Sequence, residues 1–410
     1  MKIAYLAPEL PALSATFVYN EILQLQAIGN EIVPFSVHLP TADFEQADVQ
    51  TLKKNVQCLY GRTKLSVLKD NVYFLLNQPK QYWQALKLLF ADSWQLGLFS
   101  RITVGLVYRF LFSASLARTL LNQQCSHLHV HFAHIPTDIA MYAATIANIP
   151  FSVTAHANDL FERGWLLPEK VERSAFFATI SEFNKQFLID LGADETKIKI
   201  IRCGVDFKQF STRDKLQQRE KIKLGFVGRL VEKKGIDVLL KALKILKNKQ
   251  ILVELHIAGS GPLQQESSEL AGELELTKND VQFLGALPHK DVSTFINSLD
   301  IFVLPCKKDQ NGDMDGIPVV LMEAMLSGVP VISSHISGIP ELIINNLTGL
   351  LVEPDNAEQL AQAIMKLTSN EILQQSLTRE ARNKVEQEFS LLVNTQRLNV
   401  LFQMAIRAHE

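Results

Sequence analysis

The segment 315–330, DGIPVVLMEAMLSGVP, places a proline and then two valines at the start of a predicted helix. Pro318 suits the first turn of a helix, where its missing N–H costs nothing. The amides of Val319 and Val320 would then point out of the helix N-terminus, a position that favours an anion such as a diphosphate. This segment is therefore predicted to bind an anionic ligand.

Two carboxylates flank this helix start. Asp315 ends the preceding loop, and Gly316 beside it permits a close approach between ligand and backbone. Glu323 lies two turns into the helix, where a carboxylate can accept hydrogen bonds from a vicinal diol such as that of ribose. An acidic loop before a buried helix is the purely structural alternative, although a carboxylate in an apolar helix is costly without a ligand. The predicted binding set is Asp315, Gly316, Ile317, Val319, Val320 and Glu323.

A basic loop lies in the segment 225–235, GFVGRLVEKKG. A strand is predicted to end at Gly228, and Arg229 and Lys234 follow it. At the carboxyl end of a strand, an arginine can bind a diphosphate through two contacts and a lysine can act as a point charge. A solvated basic loop is the structural alternative. The position of the loop at the start of a second set of β-α-β units favours diphosphate binding.

Histidines cluster before the middle of the chain, at positions 127, 129, 131, 134 and 156. Metal binding is one interpretation, because imidazoles are common ligands, but it is the weaker one because no carboxylate or cysteine nearby completes a set. His156 differs from the others because it follows a predicted strand, 151–155, with polar residues after it. It is either a functional residue or a hydrogen-bonded structural histidine.

The segment 309–316, DQNGDMDG, resembles a calcium loop only superficially. A calcium loop of this kind needs glycine at its sixth position and glutamate at its twelfth, and these positions are Met314 and Val320 here. We therefore expect no essential metal and no other cofactor.

Short apolar runs alternate with helical periods, which is typical of parallel β-α-β units. The fold class predicted is α/β with two Rossmann-like domains that face each other across a cleft. The predicted domains are 1–207 and 221–384, with a helical insertion at about 61–120, a polar boundary at 208–220, and a final helix within 385–410 that returns to the first domain. Strands are predicted at 2–7, 31–38, 129–133, 151–157, 177–180 and 198–203, and then at 223–227, 252–258, 281–283, 301–305, 329–333 and 349–352.

The segment 61–120 carries eight lysines and arginines against two aspartates, a balance of 8 − 2 = +6 in a chain whose net charge is −2. Ten aromatic residues are interleaved with them. Basic and aromatic residues on an amphipathic surface suit an anionic membrane interface. The alternative is an ordinary helical insertion whose aromatic residues are core.

The bulk composition narrows the class of protein. A chain of 410 residues is too long for one ordinary core, so two domains are expected. The net charge of −2 argues against nucleic acid as the main partner. We recognise no signal peptide and no stretch that is long and apolar enough to span a bilayer, so a cytoplasmic location is expected.

The two segments around Arg229 and Asp315 resemble glycosyltransferase family 4, a large retaining family. Further segments of the second half carry the resemblance: AGSGPL at 258–263, FLGALPHKDV at 283–292 and HISGIPELI at 335–343. In the first half, four segments are similar to the exopolysaccharide, colanic-acid-type branch: LSATFVYNEI at 13–22, HVHFAH at 129–134, TAHANDLF at 154–161 and IIRCGVDFKQF at 200–210.

The resemblance implies a hexosyltransferase that moves a sugar from a UDP- or GDP-linked donor to a glycan or lipid-linked glycan acceptor. It implies that Arg229 and Lys234 bind the diphosphate, Glu323 the ribose and Asp315 the transferred sugar, with His156 close to the reacting centre. The family usually has glutamate where Asp315 stands, which is one methylene longer. A sugar-nucleotide epimerase of the same fold and a non-catalytic nucleotide-sugar-binding subunit are the alternative functions.

Overall fold

Strands and helices alternate along the chain because each parallel strand buries both of its faces beneath helices. The computed structural model describes residues 1–13, 15–207, 210 and 220–410, without the side chain of His289. Most of the predicted boundary 208–220 therefore lies outside the described residues. The described chain forms two units, residues 1–204 with 391–410, and residues 205–390.

Unit 1 contains a parallel sheet. Its strands are β1 Lys2–Ala7, β2 Glu31–Ser36, β3 Gln57–Cys58, β4 His127–His131, β5 Phe151–Ala155, β6 Phe176–Thr179 and β7 Ile198–Ile200. The helices that accompany them are α1 Thr16–Ala27, α2 Ala47–Asn55, α3 Lys64–Asn77, α4 Pro79–Gln95, α5 Arg101–Asn122, α6 Ile135–Ala147, α7 Asn158–Phe161, α8 Leu167–Arg173 and α9 Glu182–Asp190. The strand order β3-β2-β1-β4-β5-β6-β7 is Rossmann-like.

Unit 2 repeats the arrangement. Its strands are β8 Ile222–Val227, β9 Val253–Ala258, β10 Val281–Gly285, β11 Ile301–Leu304, β12 Val331–Ser334 and β13 Leu350–Val352. Its helices are α10 Ile236–Asn248, α11 Gln264–Glu273, α12 His289–Asn297, α13 Val319–Leu326, α14 Ile339–Leu342, α15 Ala357–Thr368 and α16 Glu371–Glu388. The order β10-β9-β8-β11-β12-β13 is again Rossmann-like, so the prediction of two such α/β domains is confirmed.

The end of the chain returns to unit 1. Helix α17, Leu391–His409, buries Leu398 and Phe402 in the same core as Ile3 and Tyr5 of β1. The single helix predicted over 385–408 is wrong, because the chain breaks between α16 and α17. The carbonyl of buried Phe389 accepts the N–H of Val205 at 2.9 Å, so the helix ends there.

Helix α5 corrects the expectation that no stretch is long and apolar enough to span a bilayer. By length and composition it is such a helix, with a mean hydropathy of 1.3 in its most apolar window. More than half of that window, 56%, is buried, and Leu106, Phe110 and Leu116 lie in the core of unit 1. As described, α5 packs as a core helix against the neighbouring helices of unit 1.

Candidate functional site

Glycines hold the loops at the carboxyl ends of the unit 2 strands. A Cβ atom built on Gly259 would lie 1.9 Å from the carbonyl oxygen of Gly228, and φ at Gly259 is +150°. A Cβ atom on Gly235, where φ is +67°, would lie 1.9 Å from the carbonyl oxygen of Pro305. Only glycine permits these approaches. The basic loop after β8 is thus fixed against the loops that follow β9 and β11.

The basic loop contains three cations, two of which are neutralised. Lys234 pairs with Asp315 at 2.6 Å, and Lys233 pairs with Asp313 at 2.6 Å. Arg229 is exposed and has no ion-pair partner among the described residues. The loop therefore presents one uncompensated positive charge, on a side chain that can bind phosphate oxygens through two contacts.

The structure pairs two of the predicted site residues with each other. Burial acts to raise the pKa of Asp315, but Lys234 and Lys233 outweigh it and hold the pKa below its usual value. Burial lowers the pKa of Lys234, and Asp315 more than reverses this. The thiol of Cys306 also donates to Asp315 at 3.4 Å. The carboxylate predicted to contact the sugar is therefore charged and bound to the lysine predicted to contact the diphosphate.

The start of α13 differs by one residue from the prediction. Pro318 is the N-cap residue, and Val319 is the first helical residue. The amides of Val319 and Val320 have no hydrogen-bond acceptor in the part of the chain that the structure describes, and no side chain caps the helix. Gly316 and Ile317 are buried just before this helix start. The two amides are thus available to an anion.

Glu323 is a largely buried carboxyl in an otherwise apolar helix. Its neighbours Met322 and Ala324 are fully buried. The Glu323 side chain has no hydrogen-bond or ion-pair partner in the described residues. Burial raises its pKa to about 7. A carboxyl held in this state without a partner fits the prediction that it meets hydrogen-bond donors on a ligand.

His156 lies just after β5, within unit 1, and its polar groups all have partners. The carboxylate of Asp159 accepts the His156 N–H at 2.9 Å, and the His156 carbonyl accepts from Asn184 Nδ2 at 2.8 Å. The ring is 4.5 Å from the ring of Phe17, centroid to centroid. Burial, assisted by neighbouring histidines, lowers the pKa of His156 well below its usual value, so the imidazole is neutral. This environment holds both the ring and the backbone carbonyl in one position.

The other strand histidines bond mainly within the sheet. Ser152 contacts His127 Nε2 at 2.7 Å and His129 Nδ1 at 2.8 Å, and Thr154 contacts His129 Nε2 at 3.1 Å. The prediction that no carboxylate completes a ligand set is wrong, because the fold brings one next to two of these histidines. Ligand atoms of Glu21, His129 and His131 lie within 4.8 Å of one another. Because both ring nitrogens of His129 already have hydroxyl partners, we still expect no essential metal.

The loops and helix of unit 2 bring most of the predicted site residues to the carboxyl ends of β8 and β11, and His156 belongs to unit 1. Sequence reasoning missed Lys233, although it is adjacent to Lys234 in the basic loop. It also missed Glu21 of α1, whose neighbour in space, His131, was noted only as part of a cluster. Lys233 could have been found from the sequence of the basic loop, whereas Glu21 could be found only from the folded structure.

Two family models match the chain. Residues 97–209 match the model described as Glycosyltransferase Family 4, and residues 208–384 match Glycosyl transferases group 1. The two matches together run from residue 97 to residue 384, and the resemblance to glycosyltransferases predicted from the sequence motifs is confirmed.

Particular relatives are similar over part of their length. The amylovoran biosynthesis glycosyltransferase AmsK of Erwinia amylovora is 34% identical over 241 residues, 57% of this chain and 59% of that protein. WcaL of Escherichia coli, named for colanic acid biosynthesis, is 34% identical over 253 residues, 61% of this chain and 59% of that protein. The matched regions thus span about three fifths of these relatives.

A solved structure shares the fold over nearly the whole chain. HepE of Anabaena, in complex with UDP-glucose, aligns with a TM-score of 0.71 and 17% identity, covering 98% of this chain and 100% of that chain. At this identity the likeness concerns the fold. The glycosyltransferase-B fold class is therefore confirmed.

Proposed function

We propose that the chain is a retaining hexosyltransferase that moves a sugar from a UDP- or GDP-linked donor to a glycan or lipid-linked glycan acceptor in surface or exopolysaccharide synthesis. The observation that carries the proposal is the buried, unpartnered carboxyl of Glu323 on the helix whose N-terminus suits a diphosphate. The names of AmsK and WcaL support the product class, and the UDP-glucose complex of HepE supports the donor class.

In this proposal the donor diphosphate binds at the start of α13. The amides of Val319 and Val320 donate to its oxygens, and Arg229 supplies the uncompensated charge. The ribose diol donates to Glu323, which satisfies the buried carboxyl. Lys234 contacts the diphosphate while it remains ion-paired with Asp315. Asp315 is then next to both the diphosphate and the sugar attached to it.

Retention of configuration follows from displacement on one face of the sugar. The bond between the anomeric carbon and the diphosphate breaks while the acceptor oxygen attacks from the same side. The acceptor proton passes to an oxygen of the leaving diphosphate. Arg229 and the N-terminus of α13 stabilise the negative charge that develops on the leaving diphosphate. His156 acts as a positioning group, because burial keeps its imidazole neutral and the leaving diphosphate takes the acceptor proton.

We also propose that unit 1 contacts an anionic membrane, at the inner face of the cell membrane, through the exposed side of α4. Basic and aromatic residues lie together on this side, three or four positions apart: Lys80, Trp83, Lys87, Phe90 and Trp94. Trp83, Phe90 and Trp94 are 56%, 63% and 68% exposed. The opposite side of the same helix buries Tyr82 and Leu89 in the core.

The structure divides the aromatic residues of the segment 61–120 between the two interpretations. Phe74, Phe110 and Phe112 are buried, as the helical-insertion interpretation expects. Phe99 is 96% exposed, and the aromatic side chains of α4 named above are also exposed, which supports membrane contact. The buried side of these helices fits the helical-insertion interpretation, and the exposed side supports the proposed membrane contact.

The charge of this segment is smaller at the surface than its sequence implies. Arg109 pairs with buried Asp138 at 3.0 Å, and Arg118 lies over the ring of Tyr73 at 3.3 Å. The exposed basic residues of the segment are Lys64, Lys69, Lys80, Lys87 and Arg101. These five residues are the ones available to lipid headgroups.

The transfer reaction is tested by product analysis with a panel of UDP- and GDP-sugars and a lipid-linked glycan acceptor. We expect a glycosylated acceptor of retained anomeric configuration from one donor. The variant Arg229→Ala should lose about 30- to 1,000-fold in rate, which corresponds to about 2–4 kcal/mol of leaving-group stabilisation. The matched control is Arg379→Ala, since the Arg379 side chain is 71% exposed on α16.

Other outcomes would overturn the proposal. An epimerised donor would indicate a sugar-nucleotide epimerase, and donor binding without turnover would indicate a non-catalytic subunit. A folded Arg229→Ala protein with the rate of the unmodified chain would remove the donor site from the basic loop.

A further inference from the structure

A continuous series of hydrogen-bonding side chains crosses unit 1 beneath the carboxyl ends of its strands. Tyr5 Oη donates to Glu21 Oε1 at 2.5 Å, and the same oxygen lies 3.0 Å from His131 Nε2. His131 Nδ1 lies 3.1 Å from His156 Nε2. His156 Nδ1 lies 3.8 Å from the sulfur of Cys203. These contacts connect β1, α1, β4, β5 and the segment after β7.

The donors in this series can be assigned from the chemistry of its first members. Glu21 Oε1 already accepts from Tyr5 Oη, so the proton between His131 Nε2 and this oxygen is assigned to His131 Nε2. A neutral His131 then has an unprotonated Nδ1, which can only accept. His156 Nε2 must therefore carry the proton between the two rings. His156 Nδ1 is consequently unprotonated and can only accept.

We propose that Glu21 and His131 are positioning residues that hold His156 in its Nε2–H tautomer, so that Nδ1 accepts a hydrogen bond from a ligand. The inference concerns the site of the proposed function and assigns His156 a chemical role there. In this tautomer the His156 ring cannot donate to a sugar hydroxyl, since its only ring proton is already given to His131. The group that meets Nδ1 is then a donor, such as a sugar hydroxyl.

A cavity beside His156 leaves room for such a donor. A small cavity of about 10 Å³ is lined by Glu21, His131, His156 and Cys203, among others. This is about the space of one water molecule, which a hydroxyl can replace. The hydrogen-bond partner of Nδ1 in the described residues is the Cys203 thiol, a weak donor at 3.8 Å, so a stronger donor can displace it.

The ring cannot escape this arrangement by turning. Phe17 and Phe132 lie 4.5 and 4.7 Å from the His156 ring, centroid to centroid, and His131 stacks on it at 5.4 Å. The backbone of His156 is fixed by Asp159 and Asn184. The tautomer set by Glu21 therefore decides whether His156 Nδ1 donates to a ligand or accepts from it.

The tautomer is measured on the full chain by ¹⁵N NMR of labelled histidine near neutral pH, without donor or acceptor. Signals are assigned by comparison with His156→Gln and His131→Gln. We expect His156 to be neutral with its proton on Nε2 and His131 to be neutral with its proton on Nε2. A proton on His156 Nδ1, or a charged His131 ring, in the unmodified chain overturns the inference.

Two substitutions at Glu21 distinguish the effect of its hydrogen-bond acceptor from the effect of its negative charge. Glu21→Gln keeps a carbonyl oxygen and should retain the tautomer, whereas Glu21→Leu removes the acceptor and should give a mixture at His156. The matched control is Glu31→Leu, because the Glu31 side chain is 65% exposed and pairs with Lys2. An unchanged tautomer in a folded Glu21→Leu protein contradicts the proposal, and unchanged His129 signals report that the sheet is intact.

The rate of transfer provides a second readout. If the proposed function holds, Glu21→Leu should lower kcat roughly tenfold, the effect of one hydrogen bond, and Glu21→Gln should restore most of it. Affinity for UDP alone should not change. Because the NMR experiment contains no substrate, failure to find transfer activity would overturn the proposed function and leave the tautomer assignment to be decided by the spectra.

Discussion

Glu323 has a pKa of about 7 in the folded chain, so it is partly protonated at neutral pH. Hydrogen bonds from a ribose diol favour the ionised form and should lower this pKa. We therefore predict that binding of UDP or GDP at pH 7 releases up to about half a proton. Calorimetry in buffers of different ionisation enthalpy measures this release.

The control for proton release is Glu323→Gln, which keeps the shape of the side chain and cannot titrate. It should bind the nucleotide more weakly and with no proton release from this position. Equal proton release by the two proteins would place the titrating group elsewhere.

Single residues show clearly where sequence reasoning ends. The unpartnered state of Glu323 was predicted because a lone carboxylate in an apolar helix is visible in the letters. The contact between Glu21 and His131 joins residues 110 positions apart, so no local spacing indicates it. The pairing of Lys234 with Asp315 is similar, since both were named as site residues but their mutual contact depends on the adjacent loops after β8 and β11.

At the scale of an element, the loop after β9 tests whether glycine packing holds the donor site. Gly259→Ala places a Cβ where the carbonyl oxygen of Gly228 lies, at a backbone angle that alanine avoids. We expect a loss of at least about 1 kcal/mol in the free energy of unfolding and weaker UDP binding. Chemical denaturation and calorimetry measure the two effects.

Gly272 provides the control for this substitution. It lies in α11, where an added Cβ meets nothing within 4 Å. Gly272→Ala should stabilise the chain by about 0.5–1 kcal/mol, because alanine is the better helix former. If both variants bind UDP as the unmodified chain does, the loop does not depend on glycine.

The exposed side of α4 gives a second prediction at this scale. Lys80→Gln/Lys87→Gln should weaken partition onto vesicles that contain anionic lipid by about 30-fold, since each lysine near such a surface contributes about 1 kcal/mol. The attraction should also fall with added salt. Sedimentation with vesicles measures partition. Lys249→Gln/Lys278→Gln, on exposed positions of unit 2, is the control of equal charge.

Equal vesicle binding by the two double variants would contradict a role for α4 in membrane contact. Binding that survives both salt and the α4 substitutions would indicate that apolar contacts alone account for it.

The elements themselves were predicted well where periodicity is strong. Twelve strand regions were predicted and are present, with ends that differ by a few residues. Strand β3 was missed because its two residues are too few to show a period. The break before α17 was missed because Phe389 suits a helix by its type, and its contact with the distant Val205 is not visible in the sequence.

For the whole molecule, the buried histidines of unit 1 predict sensitivity to acid. Burial lowers the pKa of His127 and His134 to about 3, and those of His129 and His156 fall well below the usual value. Below pH about 6.5 the unfolded chain binds protons that the folded chain does not, so the free energy of unfolding falls as pH falls. At pH 5.5 His127 and His134 each account for about 1.4 kcal/mol, and His129 and His156 act in the same direction.

Within unit 1, the carboxyl of Asp159 acts in the opposite direction, as that of Glu323 does in unit 2. Burial raises the pKa of Asp159 to about 6, so its protonation in the folded chain returns about 1 kcal/mol over the same change in pH. The net loss between pH 7 and pH 5.5 should still be several kcal/mol. Tryptophan fluorescence follows unit 1 alone, because the three tryptophans are Trp83, Trp94 and Trp165. An unfolding midpoint in urea that does not fall over this interval would contradict the prediction.

The return of the chain to unit 1 has a consequence for the order in which the protein is made. The chain leaves unit 1 at Gly204 and re-enters it at Leu391, so all of unit 2 is synthesised between two parts of unit 1. The two ends of unit 2 are joined by the contact of Val205 with Phe389 and Ser390. On the ribosome, unit 2 can therefore complete its own core while unit 1 still lacks α17. Until that helix emerges, the apolar surface of β1 that Leu398 and Phe402 later cover stays open to chaperones and to premature association.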